Sequence, residues 1–138
     1  VFTSPPYFNV ERYSYDDTQS WVRYKTIGDW NKDFLHKAIE KMWPTLRSGG
    51  KLCVNISDVN ASDKDGKKWQ KICDPMNDFI QTFPDSKYLG AIGMEMASRP
   101  NSIGAGTGVE SGESNRKPEM LKEFNGKFCE PIWIWEKI

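Results

Sequence analysis

The sequence predicts an α/β domain, in which short apolar strands alternate with amphipathic helices. Two stretches repeat apolar residues at spacings of three and four, which is typical of a helix with one buried face. A Gly-Gly pair separates the first of these stretches from a continuous apolar run, which indicates a strand buried on both faces. A length of 138 residues, 38% of them hydrophobic, fits one globular domain or part of one.

The first half of the chain predicts a strand, a long loop, a helix and a second strand. Val1–Thr3 has the character of a strand end, so we expect the chain to begin inside a longer protein. Residues 4–28 are aromatic and polar without a steady period, which predicts a functional loop. A helix is expected from the N-cap residue Asp29 to about Arg47, where a Ser-Gly-Gly turn ends it, and a strand is expected over residues 51–59.

The second half predicts one more helix and two more strands. Residues 60–68 form a polar stretch that predicts a loop, and helical spacing resumes over 69–83, with Pro75 inside it. Strands are expected over 88–96 and 132–138, which gives four strands and two helices in all. Residues 99–127 are rich in Gly, Ser, Asn and Glu, which predicts a flexible loop or an inserted recognition segment.

Composition excludes several classes of protein. Nineteen basic and nineteen acidic residues give a net charge of zero, which excludes a uniformly basic nucleic-acid binder but allows an enzyme with one local basic face. Three cysteines without a CxxC pair, and a single His36 predicted to lie on the surface, indicate neither a disulfide framework nor a metal site. No apolar run is long enough to span a membrane and no secretion signal is evident, so we expect a cytoplasmic protein.

The most informative residues are Thr3-Ser4-Pro5-Pro6-Tyr7, directly after the first predicted strand. This segment resembles the catalytic motif of amino-group DNA methyltransferases, in which Asp, Asn or Ser is followed by Pro-Pro and an aromatic residue. In the cytosine-N4 branch Ser is the usual first residue, and the following loop is similar. The resemblance is carried further by Asn9, Glu11, Arg12 and Tyr13, by Ser48-Gly49-Gly50-Lys51-Leu52, and by Glu130-Pro131-Ile132.

The resemblance implies a fold, a cofactor and a partner. Residues 1–138 would form a single catalytic domain fragment of bacterial or phage type, with the later strands and final β-hairpin of a Rossmann-like sheet in a three-layer α/β/α arrangement. The methyl donor would be S-adenosylmethionine, near Thr3 and Ser4, and the substrate would be DNA. The expected strand, Gly-rich turn and helix for the donor are absent from the sequence, so a missing N-terminal half or a homodimer would have to supply them.

The chemistry explains why such residues are needed. The lone pair of an exocyclic amino group is delocalised into the base, so acceptors must hold its hydrogens while the nitrogen becomes tetrahedral. The Ser4 hydroxyl and the Pro5 carbonyl are the expected acceptors, and Pro6 stiffens the turn because proline fixes φ. The Tyr7 ring offers a flat face on which a base swung out of the duplex can stack.

Five loop residues are candidates for contact with nucleic acid, since they flank the expected entry of the base: Asn9, Arg12, Tyr13, Trp21 and Arg23. Asp58, near the end of the second strand, is a candidate for holding the base or the loop. An adenine-N6 or RNA-directed methyltransferase and a DNA-binding remnant without catalysis remain alternatives. A rigid Pro-Pro turn in a structural domain is the simplest alternative.

Overall fold

A computed structural model describes residues 1–63, 66–95 and 129–138. The segment predicted as a recognition loop, residues 99–127, lies outside the described residues. The fold is mixed α/β, with one four-stranded mixed sheet, a separate two-stranded hairpin and helices packed against the sheet.

The main sheet has the strand order β1-β2-β6-β5, and its strands are β1 (Phe2–Thr3), β2 (Lys51–Asn55), β5 (Ser86–Glu95) and β6 (Cys129–Lys137). β1 is parallel to β2, whereas β6 is antiparallel to both of its neighbours. All four predicted strands are therefore confirmed, and the last two pair as the expected final antiparallel unit. A bulge between Tyr88 and Gly90 interrupts that pairing, and Gly90 has a φ of 116°.

A composite helix follows the motif loop, and it begins earlier than expected. The Thr26 side chain accepts a hydrogen bond from the Asp29 N–H, so Thr26, not Asp29, is the N-cap. The helix comprises α2 (Ile27–Asp29), a π-helical stretch (Trp30–His36), α3 (Lys37–Met42) and a final 3₁₀ turn (Trp43–Thr45). A shorter helix, α1 (Ser20–Arg23), interrupts the predicted loop.

The turn into β2 requires its two glycines. Gly49 has a φ of 76°, and its N–H donates to the Lys137 carbonyl (2.7 Å), which ties the turn to the end of β6. A Cβ on Gly50 would lie 2.7 Å from the Arg47 carbonyl oxygen, closer than any side chain tolerates. The predicted Gly-Gly turn into β2 is therefore confirmed, whereas the helix itself ends earlier than expected, at Thr45, because Leu46 has an extended backbone.

The described residues of the predicted polar loop, 60–63 and 66–68, are strands. They belong to a hairpin of β3 (Val59–Asp63) and β4 (Gly66–Gln70), in which Asn60 pairs with Trp69. Tertiary pairing overrides the polar composition, because Ala61 and Gln70 are buried in the hairpin and the Gln70 amide donates to the Ala61 carbonyl (3.1 Å). The last helix, α4 (Cys73–Gln81), consequently starts later than expected, and Pro75 lies in its first turn without splitting it.

The core lies between one face of the main sheet and the helices. Alternate residues of the central strands, among them Leu52, Val54, Trp133 and Trp135, are buried in a cluster with the composite helix and α4. On the opposite face Phe2 is 63% exposed and Ile92 is 50% exposed. The described residues therefore form two layers, and the expected third layer is not among them.

Within the same ranges, no helix is both long and apolar enough to cross a lipid bilayer.

Candidate functional site

The Ser-Pro-Pro-Tyr motif forms a tight turn at the carboxyl end of β1. The Phe8 N–H donates to the Pro6 carbonyl (3.1 Å), and the Val10 N–H donates to the Tyr7 carbonyl (2.9 Å). Phe8 has a φ of 44°, a left-handed conformation that costs a bulky residue about 1–2 kcal/mol. Its ring is completely buried and packs edge-on against Trp30 at 6.0 Å. Burial of Phe8 therefore anchors a strained turn that carries the motif.

Ser4 is joined to the sheet by an asparagine. Its hydroxyl donates to Asn55 Oδ1 (3.4 Å), and Asn55 Nδ2 donates to the Pro131 carbonyl (3.1 Å). A carbonyl can only accept, so the amide nitrogen of Asn55 must face Pro131 and its oxygen must face Ser4. This fixes the Ser4 hydroxyl as the donor in its bond to Asn55 and leaves the oxygen lone pairs for another partner. Ser4 is itself exposed, whereas Asn55 is buried.

Tyr7 is held at both ends by carboxylates. Its N–H donates to Glu11 Oε2 (3.0 Å), and its hydroxyl donates to Glu130 Oε2 (3.1 Å). Partial burial, together with the charge of Glu130, raises the pKa of the Tyr7 phenol well above its usual range. The phenol is therefore a neutral donor at any physiological pH. The ring is half-buried and packs on the edge of the core.

An aromatic and cationic surface lies on the loop that follows the motif. The Arg12 guanidinium is 4.8 Å and the Lys25 ammonium is 5.2 Å from the centre of the Trp21 ring, within the range of cation–π attraction. Tyr15 packs edge-on against the same ring at 5.4 Å. The Trp21 indole donates to the Ser14 carbonyl (3.0 Å), which fixes the ring on the loop.

The structure brings most of the predicted nucleic-acid residues together. The Arg12 side chain donates to the Asn9 carbonyl (2.9 Å), and the Asn9 amide donates to the Ser62 carbonyl, which joins the loop to the β3–β4 hairpin. Tyr13 is 72% exposed, and its hydroxyl donates to Glu11 Oε2 (3.2 Å), the oxygen that also holds the Tyr7 backbone. The charge of Glu11 is the main reason why the pKa of Tyr13 is raised.

Three of the residues predicted to belong to the functional site lie apart from it. Arg23 is exposed on α1, and its side chain makes no hydrogen bond, ion pair or ring contact within the described ranges. Thr3 pairs with Val54 and so lies on the helix-covered face of the sheet, away from the Ser4 hydroxyl. Asp58 is buried, and its Oδ1 accepts from the Ile72 and Cys73 N–H groups (2.8 and 2.9 Å) at the start of α4. Asp58 therefore caps a helix and does not face the motif.

His36 is also not the surface residue expected. Its ring stacks on Phe79 with centroids 4.6 Å apart and planes 3° apart, and its Nε2 is buried without a hydrogen-bond partner in the described part of the chain. Loss of hydration lowers the pKa of this imidazole. The side chain belongs to the packing between the composite helix and α4.

Sequence reasoning missed the residues that hold the motif in place. Asn55 lies in the predicted second strand and Glu130 at the predicted entry to the last strand, but neither position indicates which side chain it contacts. Phe8 stands among several loop aromatics, and nothing in its spacing marks it as the buried one. The contacts of Asn55 and Glu130 with the motif join residues 51 and 123 positions apart, so no local pattern could reveal them.

The described residues do not by themselves fit S-adenosylmethionine. A donor site of this kind needs a strand, a Gly-rich turn and a helix whose first N–H groups face the ligand. The strand β1 leads instead into the Pro-Pro turn, and proline has no N–H to offer. Across the described residues there is likewise no cluster of His, Cys, Asp and Glu suited to a metal ion.

Comparison of the chain with known protein-family models, with curated proteins and with solved structures finds no match.

Proposed function

We propose that this chain is the catalytic part of a DNA methyltransferase that modifies the exocyclic N4 amino group of cytosine. The observation that carries the proposal is the orientation of Ser4. Asn55 Oδ1 accepts a hydrogen bond from the Ser4 hydroxyl, so the lone pairs of the Ser4 oxygen are left as acceptors at the exposed end of β1. An acceptor in that position is what an amino group needs when it gives up its planar geometry.

The Pro5 carbonyl is the second acceptor. None of the hydrogen bonds among the described residues uses it, whereas the neighbouring Pro6 carbonyl accepts from Phe8. Two acceptors on one stiff turn can hold the two hydrogens of one amino group. Positioning of this kind supplies catalytic power because the reacting nitrogen does not have to be ordered during the reaction.

The order of the strands also supports the proposal. β1 and β2 are parallel neighbours, and ligands of open α/β sheets bind beyond the carboxyl ends of such strands. The motif leaves β1 at that end. An antiparallel β5–β6 pair at the other side of the sheet agrees with the later strands and final hairpin of a Rossmann-like methyltransferase.

The proposed roles are as follows. Ser4 and Pro5 would hold the amino group, Pro6 would stiffen the turn and Tyr7 would stack on the base. Arg12 and Trp21 would contact the DNA next to the flipped base, with Asn9, Tyr13 and Arg23 around them. S-adenosylmethionine would supply the methyl group from a site completed by residues other than those described.

The test is mass spectrometry of nucleosides from DNA incubated with S-adenosylmethionine and the longest reading frame that contains this chain. We expect N4-methylcytosine, and we expect Ser4→Ala to reduce its formation at least about 100-fold, the usual cost of losing one positioned hydrogen-bonding group. Ser48→Ala is the matched control, because Ser48 is an exposed serine in the turn before β2.

Each other result has a defined meaning. N6-methyladenine that is lost in Ser4→Ala would keep the enzyme class and replace the base. DNA binding that weakens steeply with salt, without any methylated base, would indicate a binding remnant. Equal methylation by the wild type and Ser4→Ala would contradict the role of the hydroxyl.

A further inference from the structure

Tyr7 is fixed more firmly than the stiffness of the Pro-Pro turn requires. Its backbone is bound by Glu11, its hydroxyl by Glu130, and the following residue, Phe8, is locked into the core. A tyrosine on a loop normally loses rotational freedom when a ligand stacks on it, and that loss weakens binding. Tyr7 has already lost it in the free protein.

Glu130 is an unexpected residue at a nucleic-acid site. A carboxylate repels phosphate, so a negative side chain beside a DNA-binding surface reduces affinity unless it has another role. The other acidic side chain on the same face of β6, Glu136, lies at the far end of the strand and pairs with Lys51 at 3.5 Å. Glu130 instead accepts a hydrogen bond from the half-buried phenol of Tyr7.

We infer that Glu130 is a positioning residue, which holds the Tyr7 ring in place as a stacking surface for an unpaired base. The inference rests on the proposed function, because it assigns the ring the same role. It adds a residue that touches neither base nor methyl donor and acts through Tyr7. It also predicts the sign of an effect: removal of the Glu130 acceptor weakens the binding of a polyanion, even where a negative charge is removed with it.

The experiment measures affinity for a fluorescent single-stranded oligodeoxynucleotide of mixed sequence by anisotropy, without a methyl donor. We expect Glu130→Ala to weaken binding about 3- to 10-fold, a part of the roughly 5- to 150-fold that stacking of one base is worth. Tyr7→Phe should weaken binding to the same extent, and the double variant no further, because either change breaks one contact.

Two variants separate positioning from charge. Glu130→Gln keeps an acceptor for the phenol and should bind nearly as well as the wild type. Glu136→Ala removes a negative charge from the same strand and should leave affinity unchanged or increase it. If Glu130→Ala binds as tightly as Glu136→Ala, or if the wild type does not bind the oligonucleotide, the inference is wrong.

The failure of this inference can be distinguished from that of the proposed function. Methyl transfer is measured on the same proteins in a separate assay. An oligonucleotide-binding pattern as expected, with no methylated base from any DNA, would sustain the role of Glu130 and reject the methyltransferase. Intact methyl transfer by Glu130→Ala, together with unchanged affinity for the oligonucleotide, would sustain the methyltransferase and reject the role of Glu130. Thermal unfolding of each variant checks that it is folded.

Discussion

Two polar side chains follow neighbouring strands, yet they differ in what they can still bind. Asp58, after β2, is 2% exposed, and its carboxylate accepts from two N–H groups of the start of α4. Ser4, after β1, is exposed and makes one long hydrogen bond, to Asn55. Both positions match the place where open α/β sheets bind ligands, and the sequence marks both as candidates.

The difference shows how a polar group with a structural role is distinguished from a candidate for the proposed function at the same edge of a sheet. A buried charge must be satisfied by the protein itself, and Asp58 uses its acceptor to cap a helix. A group that acts on a substrate must keep an acceptor or donor unused and within reach of solvent. Ser4 meets that condition because its hydroxyl donates to Asn55 and the lone pairs of its oxygen stay unused.

The largest effect on stability is expected at Asp58. Asp58→Ala removes a charge-assisted acceptor and leaves two backbone N–H groups near the buried start of α4 without it. We expect the free energy of unfolding to fall by about 3 kcal/mol, measured by urea denaturation. Ser4→Ala should change it by less than about 0.5 kcal/mol, as is usual for an exposed side chain.

Asp78→Ala is the control for Asp58, because Asp78 is an exposed carboxylate on the same helix. If Asp58→Ala lowers the free energy of unfolding no more than Asp78→Ala does, the comparison is wrong, since Asp58 would then not cap α4. A loss of stability in Ser4→Ala as large as that in Asp58→Ala would also contradict the comparison, because Ser4 would then have a structural role.

A smaller effect is expected at Asn77, which lies deeper in the same core. Its Oδ1 accepts from the Trp135 indole (2.8 Å), and its Nδ2 donates to the Cys73 carbonyl (2.9 Å). Asn77→Leu fills the space but leaves the indole N–H buried without its acceptor, at a cost of about 2 kcal/mol. With Trp135→Phe added, which removes the unsatisfied N–H, the combined loss in urea denaturation should be smaller than the sum of the two single losses. A fully additive loss would mean that the indole is already satisfied elsewhere.

The four strands and two main helices were predictable because each is a local pattern. The composite helix shows apolar spacing, β2 is a continuous apolar run, and two glycines form the turn that leads into β2. The β3–β4 hairpin was not predicted, because most of its residues are polar and its stability comes from cross-strand pairing and from the burial of Val59 and Ala61 in the core. The boundaries of α4 were wrong for the same reason, since Trp69 belongs to that hairpin.

The motif itself was predictable, whereas the residues that support it were not. Ser4, Pro5, Pro6 and Tyr7 are contiguous, so a short pattern suffices to find them. Asn55 and Glu130 reach the motif only because β1, β2 and β6 lie side by side in that order in the sheet. The sequence contains both strands but not their adjacency, and therefore not the side chains that face the motif.

His36 is intermediate between buried Asp58 and exposed Ser4, because its ring is half-buried and titratable. In the unfolded chain a histidine has a pKa of about 6.5, and stacking against Phe79 without a partner for Nε2 lowers the pKa in the folded protein. Between these two values the unfolded state binds more protons than the folded state. Stability that is present above pH 6.5 should therefore decline as the pH falls through the unfolded value toward the folded one.

The smallest effect is expected here, because part of the ring remains in contact with water and the penalty of charging it is reduced. His36→Phe keeps a ring that can pack on Phe79 and removes the titration. Its urea midpoint should therefore change less than that of the wild type between pH 8 and about pH 5.5. The difference between the two proteins isolates His36, since all carboxylates are common to both. The same pH dependence of the urea midpoint in both proteins would mean that His36 is hydrated in the folded state, as exposed Ser4 is.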